Sequence, residues 1–294
     1  MPSTRDIRRR IVSVKKTAQI TSAMEKVAQA KMGRAQNAAL AGRPYAELMN
    51  RVLAEVVQNA GDFNHPFMET RGGEKRALIL VTTDKGMCGP LNSNLLRRVT
   101  DEFATDQTRI IAAGKKGAQH ATRVGWDLAA EFSYSDTPVF AEARSIARMA
   151  AELFENEEVD HVDIAFTNFI NTLTQKPEVQ RLLPLTEIKG VQAGVEGEEM
   201  ATVLPGGTAE FLFEPSAGGV LGELLPHYLN FQVFQILLEA RASEFSSKMV
   251  AMKNATDNAN DLIKDLTLEY NKMRQAAITS ELLEITTAQM ALGN

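Results

Sequence analysis

The sequence predicts an α+β/α/β protein: a long antiparallel coiled coil of N- and C-terminal helices, plus a Rossmann-like α/β domain between them. Three observations predict it. Helix breakers are scarce at both ends: Ser3 to Arg43 holds no proline and only Gly33 and Gly42, and Glu223 to Leu292 holds no glycine and only Pro226. An apolar seam with alternating spacings of four and three runs through the C-terminal segment. Between the ends, glycine and proline recur, and short apolar runs alternate with amphipathic ones.

The N-terminal element is read as residues 1–59. Ile7, Ile11, Val14, Ala18, Thr21, Ala28, Met32, Ala35 and Ala39 share one heptad register, interrupted by Glu25. Leu48, Val52 and Val56 are read as its continuation. The middle domain is read as residues 74–215. Arg76 to Asp84 is a buried-strand pattern, followed by a helix over Pro90–Phe103. A strand over Arg109–Ala113, a helix over Lys115–Val124 and a strand over Asp127–Phe132 come next. A helix over Phe140–Asn156 and a strand over His161–Phe166 complete the alternation. Strand–helix–strand order implies a parallel sheet with right-handed crossovers. Gln180–Leu185 and Glu210–Phe213 suit antiparallel edge strands, and Ile188–Gly207 reads as a loop rich in glycine and acid.

The C-terminal element is read as residues 217–292. Leu238, Ala242, Phe245, Met249, Met252, Thr256, Ala259, Ile263, Leu266, Tyr270, Met273 and Ala277 keep the four–three spacing without a slip, and only Thr256 is polar. That is a heptad seam, which implies a left-handed supercoil with a partner helix. The first helix ends where the middle domain begins and the last starts where it ends, so the two run antiparallel. At about 1.5 Å per residue they span roughly 80 Å and 100 Å. The stretch from about Arg274 to Asn294 therefore projects past its partner. It still carries Ile278, Leu282, Leu283, Ile285, Met290 and Leu292 on several faces, so it calls for a sheath from other subunits.

Composition excludes several classes. Hydrophobic residues are 44% and charged residues 23% of 294, the balance of an ordinary globular chain, and a net charge of −5 gives no overall pull toward nucleic acid. Cys88 is the single cysteine, so there is no disulfide framework and a reducing compartment fits. No apolar run nears the roughly 18 residues of a membrane span, and the N-terminus does not read as a secretory signal. Membrane association is expected only through a partner.

The α/β middle invites a search for nucleotide chemistry. The turn Asp84-Lys85-Gly86-Met87-Cys88-Gly89 lacks the Gly-x-Gly-x-x-Gly spacing. Around Gly114-Lys115 a P-loop needs an earlier glycine and a following Ser or Thr, but Arg109 and Lys116 stand there. Cys88 reads as a small residue packed at a strand–helix junction rather than a nucleophile, and Asp84 as a turn residue rather than a catalytic acid. His65, His120, His161 and His227 show no metal-ligand spacing. No catalytic, cofactor or metal residue is assigned. Two charged features remain. The first helix carries Arg5, Arg8, Arg9, Arg10, Lys15, Lys16, Lys26, Lys31 and Arg34 against Asp6 and Glu25. A basic helix with one face committed to a coiled coil suits an acidic protein surface better than nucleic acid. In the projecting segment, Arg274, Gln275, Thr279, Glu281 and Glu284 lie among apolar residues.

Three blocks in order resemble one family, the γ subunit of F-type ATP synthase, the central rotor shaft of F1. The first is Ile7-Arg8-Arg9-Arg10-Ile11 with Ser13-Val14-Lys15-Lys16-Thr17, running on through Ala23-Met24 to Ala30-Lys31-Met32. The second is Asp84-Lys85-Gly86-Met87-Cys88-Gly89 followed by Asn92. The third is Met249 to Ala259, then Tyr270-Asn271, Arg274-Gln275-Ala276 and Ile278-Thr279 to Glu284-Ile285. The resemblance covers the whole chain. It implies a non-catalytic central-stalk subunit without a cofactor. It implies that proton flow through the membrane sector turns a c-ring, that the globular base sits on that ring with the ε subunit, and that the coiled coil turns inside the α3β3 hexamer to drive ATP synthesis at β. It implies a peripheral place on the cytoplasmic face of a bacterial inner membrane. It also implies rotor–stator contacts: Met24 facing the acidic lever loop of β, Lys26 beside it, and Arg274, Gln275, Thr279, Glu281 and Glu284 in the upper contact with β. Lys248 stands where many members have arginine, which keeps the charge but not the fork. Ile285 to Met290 departs from the family's usual valine- and glycine-rich ending, and the dithiol insert of chloroplast members is absent. The competing readings are a static coiled-coil adaptor with an α/β platform and a nucleotide-binding enzyme.

Overall fold

A computed structural model describes residues 4–59, 65–185 and 216–292. The segments expected as the Ile188–Gly207 loop and the Glu210–Phe213 strand lie outside the described residues. The chain divides into two compact units, residues 1–28 with 249–294, and residues 29–248.

Helix α1 spans Thr4–Asn59 and α5 spans Ala217–Leu292. Between them, β1 (Arg76–Val81), α2 (Leu91–Glu102), β2 (Thr108–Ala113), α3 (Lys115–Val124), β3 (Asp127–Phe132), α4 (Phe140–Glu155), β4 (His161–Phe169) and β5 (Gln175–Leu183) alternate as the sequence suggests. A short 3₁₀ turn at Pro66–Met68, which apolar periodicity does not reveal, precedes β1. The sheet order is β3-β2-β1-β4-β5; the first four strands are parallel and β5 is antiparallel to β4. β4 runs three residues beyond the expected Phe166, and β5 begins earlier than the expected Gln180. A charged, half-exposed edge strand carries no continuous apolar run, so its start is hidden in the sequence.

The period-two pattern of β1 explains how the sheet is covered. Leu78 and Leu80 face one side, where they pack with Ile110, Ala112, Leu95, Val99 and Ala121 from β2, α2 and α3. Ala77, Ile79 and Val81 face the other, where Ile146, Ala150 and Phe154 of α4 share a core with parts of α1 and α5. Both faces are thus buried, which is why β1 and β2 read as continuous apolar runs. Gly114, between β2 and α3, has φ +113°, and a Cβ there would lie 2.2 Å from the Thr82 carbonyl oxygen. Only glycine allows that approach. This accounts for the Gly114-Lys115 pair without a phosphate.

In residues 29–248, α1 departs from the reading of Leu48, Val52 and Val56 as one face. Leu48 is 55% exposed. The buried line runs Ala35, Ala46, Met49, Leu53 and Val56, with Ala39 and Gly42 half-buried. These residues keep the four–three spacing of the upstream seam. The pattern Leu48–Val52–Val56 is a spacing of four, which drifts around the helix by about 40° per step, because a turn takes 3.6 residues.

Candidate functional site

The turn after β1 is an attachment site for α5. Residues Gln235 to Ser247 are buried without interruption, although Gln235, Glu239, Arg241, Ser243, Glu244, Ser246 and Ser247 are polar. A helix buried all round must satisfy its polar side chains by hydrogen bonds. Arg241 stacks 3.8 Å over the Tyr134 ring, donates to the Tyr134 carbonyl and, at 3.0 Å, to that of Ser135. It also pairs with Glu244 and lies 3.8 Å from Asp84. Ser243 Oγ donates to the Thr167 carbonyl at 2.8 Å, Ser246 Oγ to that of Thr172 at 2.7 Å, and Ser247 Oγ to that of Cys88 at 2.6 Å.

These partners all sit at or beyond the C-terminal ends of β1, β3 and β4. In an open α/β sheet that edge is where ligands bind, at the point where strand order reverses. Here the reversal lies between β1 and β4. The cavity left among Thr82, Thr83, Asn92, Tyr134, Thr167 and Ala240 is about 10 Å³, at the lower limit for one water. The crevice is filled by α5. Asp84 accepts from the Lys115 backbone at 3.0 Å and serves as the carboxylate near Arg241. Cys88 is buried, its sulfur lies 3.4 Å from Asn92 Nδ2, and burial pushes its thiol up. Both residues therefore have packing roles, as their sequence context suggests. Burial likewise raises the Tyr134 phenol, whose hydroxyl donates to the Thr82 carbonyl at 3.2 Å.

Sequence reasoning missed Arg241 and the serines. Their signal is a dense polar set inside a stretch that periodicity alone marks only at Leu238, Ala242 and Phe245. The histidines are dispersed: His65 Nδ1 accepts from the Phe67 backbone at 3.1 Å, His120 bonds Thr100 at 3.1 Å, His161 bonds Arg181 at 3.1 Å and His227 bonds Tyr45 at 2.7 Å. Among the described residues, no group of three or more His, Cys, Asp or Glu side chains is placed to hold a metal.

The expected contact residues separate into different environments. Lys248 is mostly buried and is 2.9 Å from Glu244, so its charge is engaged within the α5 cluster. Lys31 pairs with Asp136, which holds that carboxyl below the usual range, and Lys31 also lies 5.6 Å over the Phe245 ring. In the unit of residues 1–28 and 249–294, Met24 is half-buried and Lys26 exposed. Arg5, Arg8, Arg9, Arg10, Lys15 and Lys16 are exposed as well.

The seam of that unit follows the expected register. Ile7, Ala18, Thr21 and Ala28 are buried on α1, as are Met252, Ala259 and Leu266 on α5, and Ile263, Tyr270 and Met273 are half-buried. Thr21 Oγ1 and Thr256 Oγ1 are 2.7 Å apart. With those residues level, antiparallel counting places Ile7 beside about Tyr270, so α1 ends near Met273. From Arg274 to Met290 every side chain is exposed, including Arg274, Gln275, Thr279, Glu281 and Glu284. Thr279 Oγ1 donates back to its own helix, at the Gln275 carbonyl 2.9 Å away. Ile278, Leu282, Leu283, Ile285 and Met290 expose about half or more of their surface. At 100° per residue, Arg274, Ile278, Glu281 and Ile285 line one face, Gln275, Thr279 and Leu282 the next, and Leu283 and Met290 the far side. Among the described residues, no helix is long and apolar enough to cross a membrane.

Comparison with known proteins agrees with this geometry. A family model described as ATP synthase matches residues 3–292. The ATP synthase gamma chain of Opitutus terrae is 49% identical, covering 99% of each chain. A chain of the Tetrahymena thermophila mitochondrial ATP synthase central stalk and c-ring superposes with a TM-score of 0.59 at 25% identity, covering 80% of this chain and 99% of that one. A chain from the OSCP/F1/c-ring structure of the Euglena gracilis mitochondrial ATP synthase gives a TM-score of 0.67 at 18% identity, covering 98% of this chain and 94% of that one, and so shares the fold. A heptad-paired helix pair, a five-stranded α/β unit and a full-length match to named relatives converge: the chain belongs to the ATP synthase gamma-chain family.

Proposed function

We propose that this chain is a non-catalytic central-stalk subunit of a proton-translocating F1Fo ATP synthase. It turns inside an α3β3 hexamer and couples proton flow to ATP synthesis at β. The division of labour follows residues 1–59 and 217–292 as the coiled-coil helices and 74–215 as the globular base, which meets the c-ring and the ε subunit. The relatives' printed names and the central-stalk title of the Tetrahymena structure support the assignment. The observation that carries it is the segment Arg274–Met290, a single helix exposed on every face yet apolar on several. Such an exposed apolar surface marks a site of contact with other proteins. Arg274, Gln275, Thr279, Glu281 and Glu284 are the directional contacts of that enclosure, and Met24 and Lys26 meet the lever loop of β. Lys248 contributes from within the Arg241–Glu244 cluster. The complex lies peripherally on the cytoplasmic face of a bacterial membrane, held there by the c-ring.

Reconstitution with α, β and ε subunits tests the proposal. The full-length chain should co-purify with them and show no ATPase activity alone, whereas a chain lacking Glu281–Asn294 should recover less α and β in the complex. Turnover by the isolated chain, or recovery of α3β3 unaffected by the truncation, would sink it.

A further inference from the structure

The polar residues of α5 between Arg241 and Ser247 do more than satisfy themselves. Two turns of helix present four side chains at different angles to the C-terminal end of β4 and to the loops after β1, β3 and β4. At 100° per residue, Ser243, Ser246 and Ser247 lie about 140–240° around the axis from Arg241. Arg241 is held by Tyr134, Ser135 and Asp84 on one side. On the opposite side Ser243, Ser246 and Ser247 are held by the carbonyls of Thr167, Thr172 and Cys88. The serines lie in a stretch that small apolar residues would fill equally well by volume. Apolar burial is non-directional and resists rotation of a helix about its own axis only through packing. Hydrogen bonds have strict angular limits and resist that rotation directly.

We infer that Arg241, Ser243, Ser246 and Ser247 form the torque joint of the rotor: the ring of directional contacts through which rotation of the α/β domain passes into helix α5. The inference rests on the central-stalk reading above. In a rotor the base is driven and the helix end acts, so the twist must cross from sheet loops to helix somewhere. Here side chains of the helix are bonded to strand ends and loops on two opposite sides of its circumference. Lys31 to Asp136 and Gln235 Nε2 to the Ala39 carbonyl, at 3.2 Å, tie α1 into the same unit.

The test is a single-molecule rotation assay on the assembled α3β3 complex, with a bead fixed to the α/β domain through an introduced surface cysteine. Cys88 is buried and leaves the label specific. Thermal angular fluctuation during pauses reports torsional stiffness. In a Ser243→Ala, Ser246→Ala, Ser247→Ala variant the angular variance should rise by about half or more, since three bonds of modest strength no longer oppose twist. The triple variant leaves no buried charge but strips the donors from three carbonyls; Ser247→Ala alone, which strips one, should raise the variance in the same direction and keeps the test where the triple variant does not fold. Unchanged variance in both variants, with the wild-type chain assembled and rotating, overturns the joint and leaves the central-stalk reading intact. Failure of the wild-type chain to assemble overturns both.

Discussion

Arg241 shows how a charge is made tolerable inside a core. Its guanidinium has two backbone carbonyls, two carboxylates and an aromatic face as partners. Removing one member of such a buried set leaves the others uncompensated, at a cost of about 3–5 kcal/mol. Lys248 remains 2.9 Å from Glu244, so Arg241→Met should fall at the lower end, about 3 kcal/mol, in urea unfolding. A loss under about 1 kcal/mol would mean the cluster is solvated in solution. Lys31 and Asp136 make a more exposed pair. The lysine's hydrogen bond and charge hold the Asp136 pKa down, so its stabilising effect is complete above the ordinary carboxylate value and is lost as pH falls through the lowered one. Lys31→Met should move the Asp136 titration, followed by NMR, back up toward the ordinary value and remove that acid-side loss. An unmoved titration would show that the contact does not form. Neither residue announces this role in the sequence. Arg241 sits amid alternating polar and apolar neighbours, and Lys31 looks like one more member of a basic run.

At the scale of the element, the seam is the most legible feature. Spacings of four and three identified the buried Met252, Ala259 and Leu266 of α5 and the half-buried Thr256, Ile263, Tyr270 and Met273 between and beyond them, because a supercoil presents those positions to its partner whatever the exposed residues are. The reading failed at Leu48, where β-branched and leucine residues four apart imitate a stripe while the true line continues through Ala46, Met49 and Leu53. Small residues carry little apolar signal, although they pack closely. The Thr21–Thr256 layer is polar within an apolar seam. Each hydroxyl has one proton to donate, so one crosses to the other threonine while that partner donates to its own helix, Thr21 to the Ala18 carbonyl at 3.1 Å or Thr256 to the Met252 carbonyl at 2.9 Å. Replacing both with valine conserves shape and removes both members together, so stability should hold or rise by about 1 kcal/mol. A fall of that size in thermal unfolding would show that the pair sets register.

For the whole molecule, charge and stability are unevenly placed. A net charge of −5 conceals a strongly basic start to α1, and its exposed arginines and lysines give the chain a local attraction for acidic surfaces that the total hides. The two compact units also confine damage. Glu281–Asn294 lies wholly in the unit of residues 1–28 and 249–294. The truncation that weakens assembly should therefore leave unfolding of residues 29–248 within a few tenths of a kcal/mol, measured on the same preparation by denaturant melting. Equal loss in both would mean that the terminal segment supports the α/β unit.

The sequence by itself determined the two helices, the seam along each, the strand–helix alternation and the family, because heptad spacing, period-two runs and breaker placement are local properties. It also indicated the projecting end, through unequal helix lengths and apolar residues with no seam partner. Only the tertiary structure decided what fills the crevice at the C-terminal edge of the sheet. There Asp84, Cys88, Tyr134 and Thr167, spread over eighty-four residues of sequence, meet Arg241 to Ser247. No periodicity records that meeting, since a helix buried on all sides has no exposed face to contrast with a buried one. The partners of its polar groups are chosen by chain topology, not by spacing.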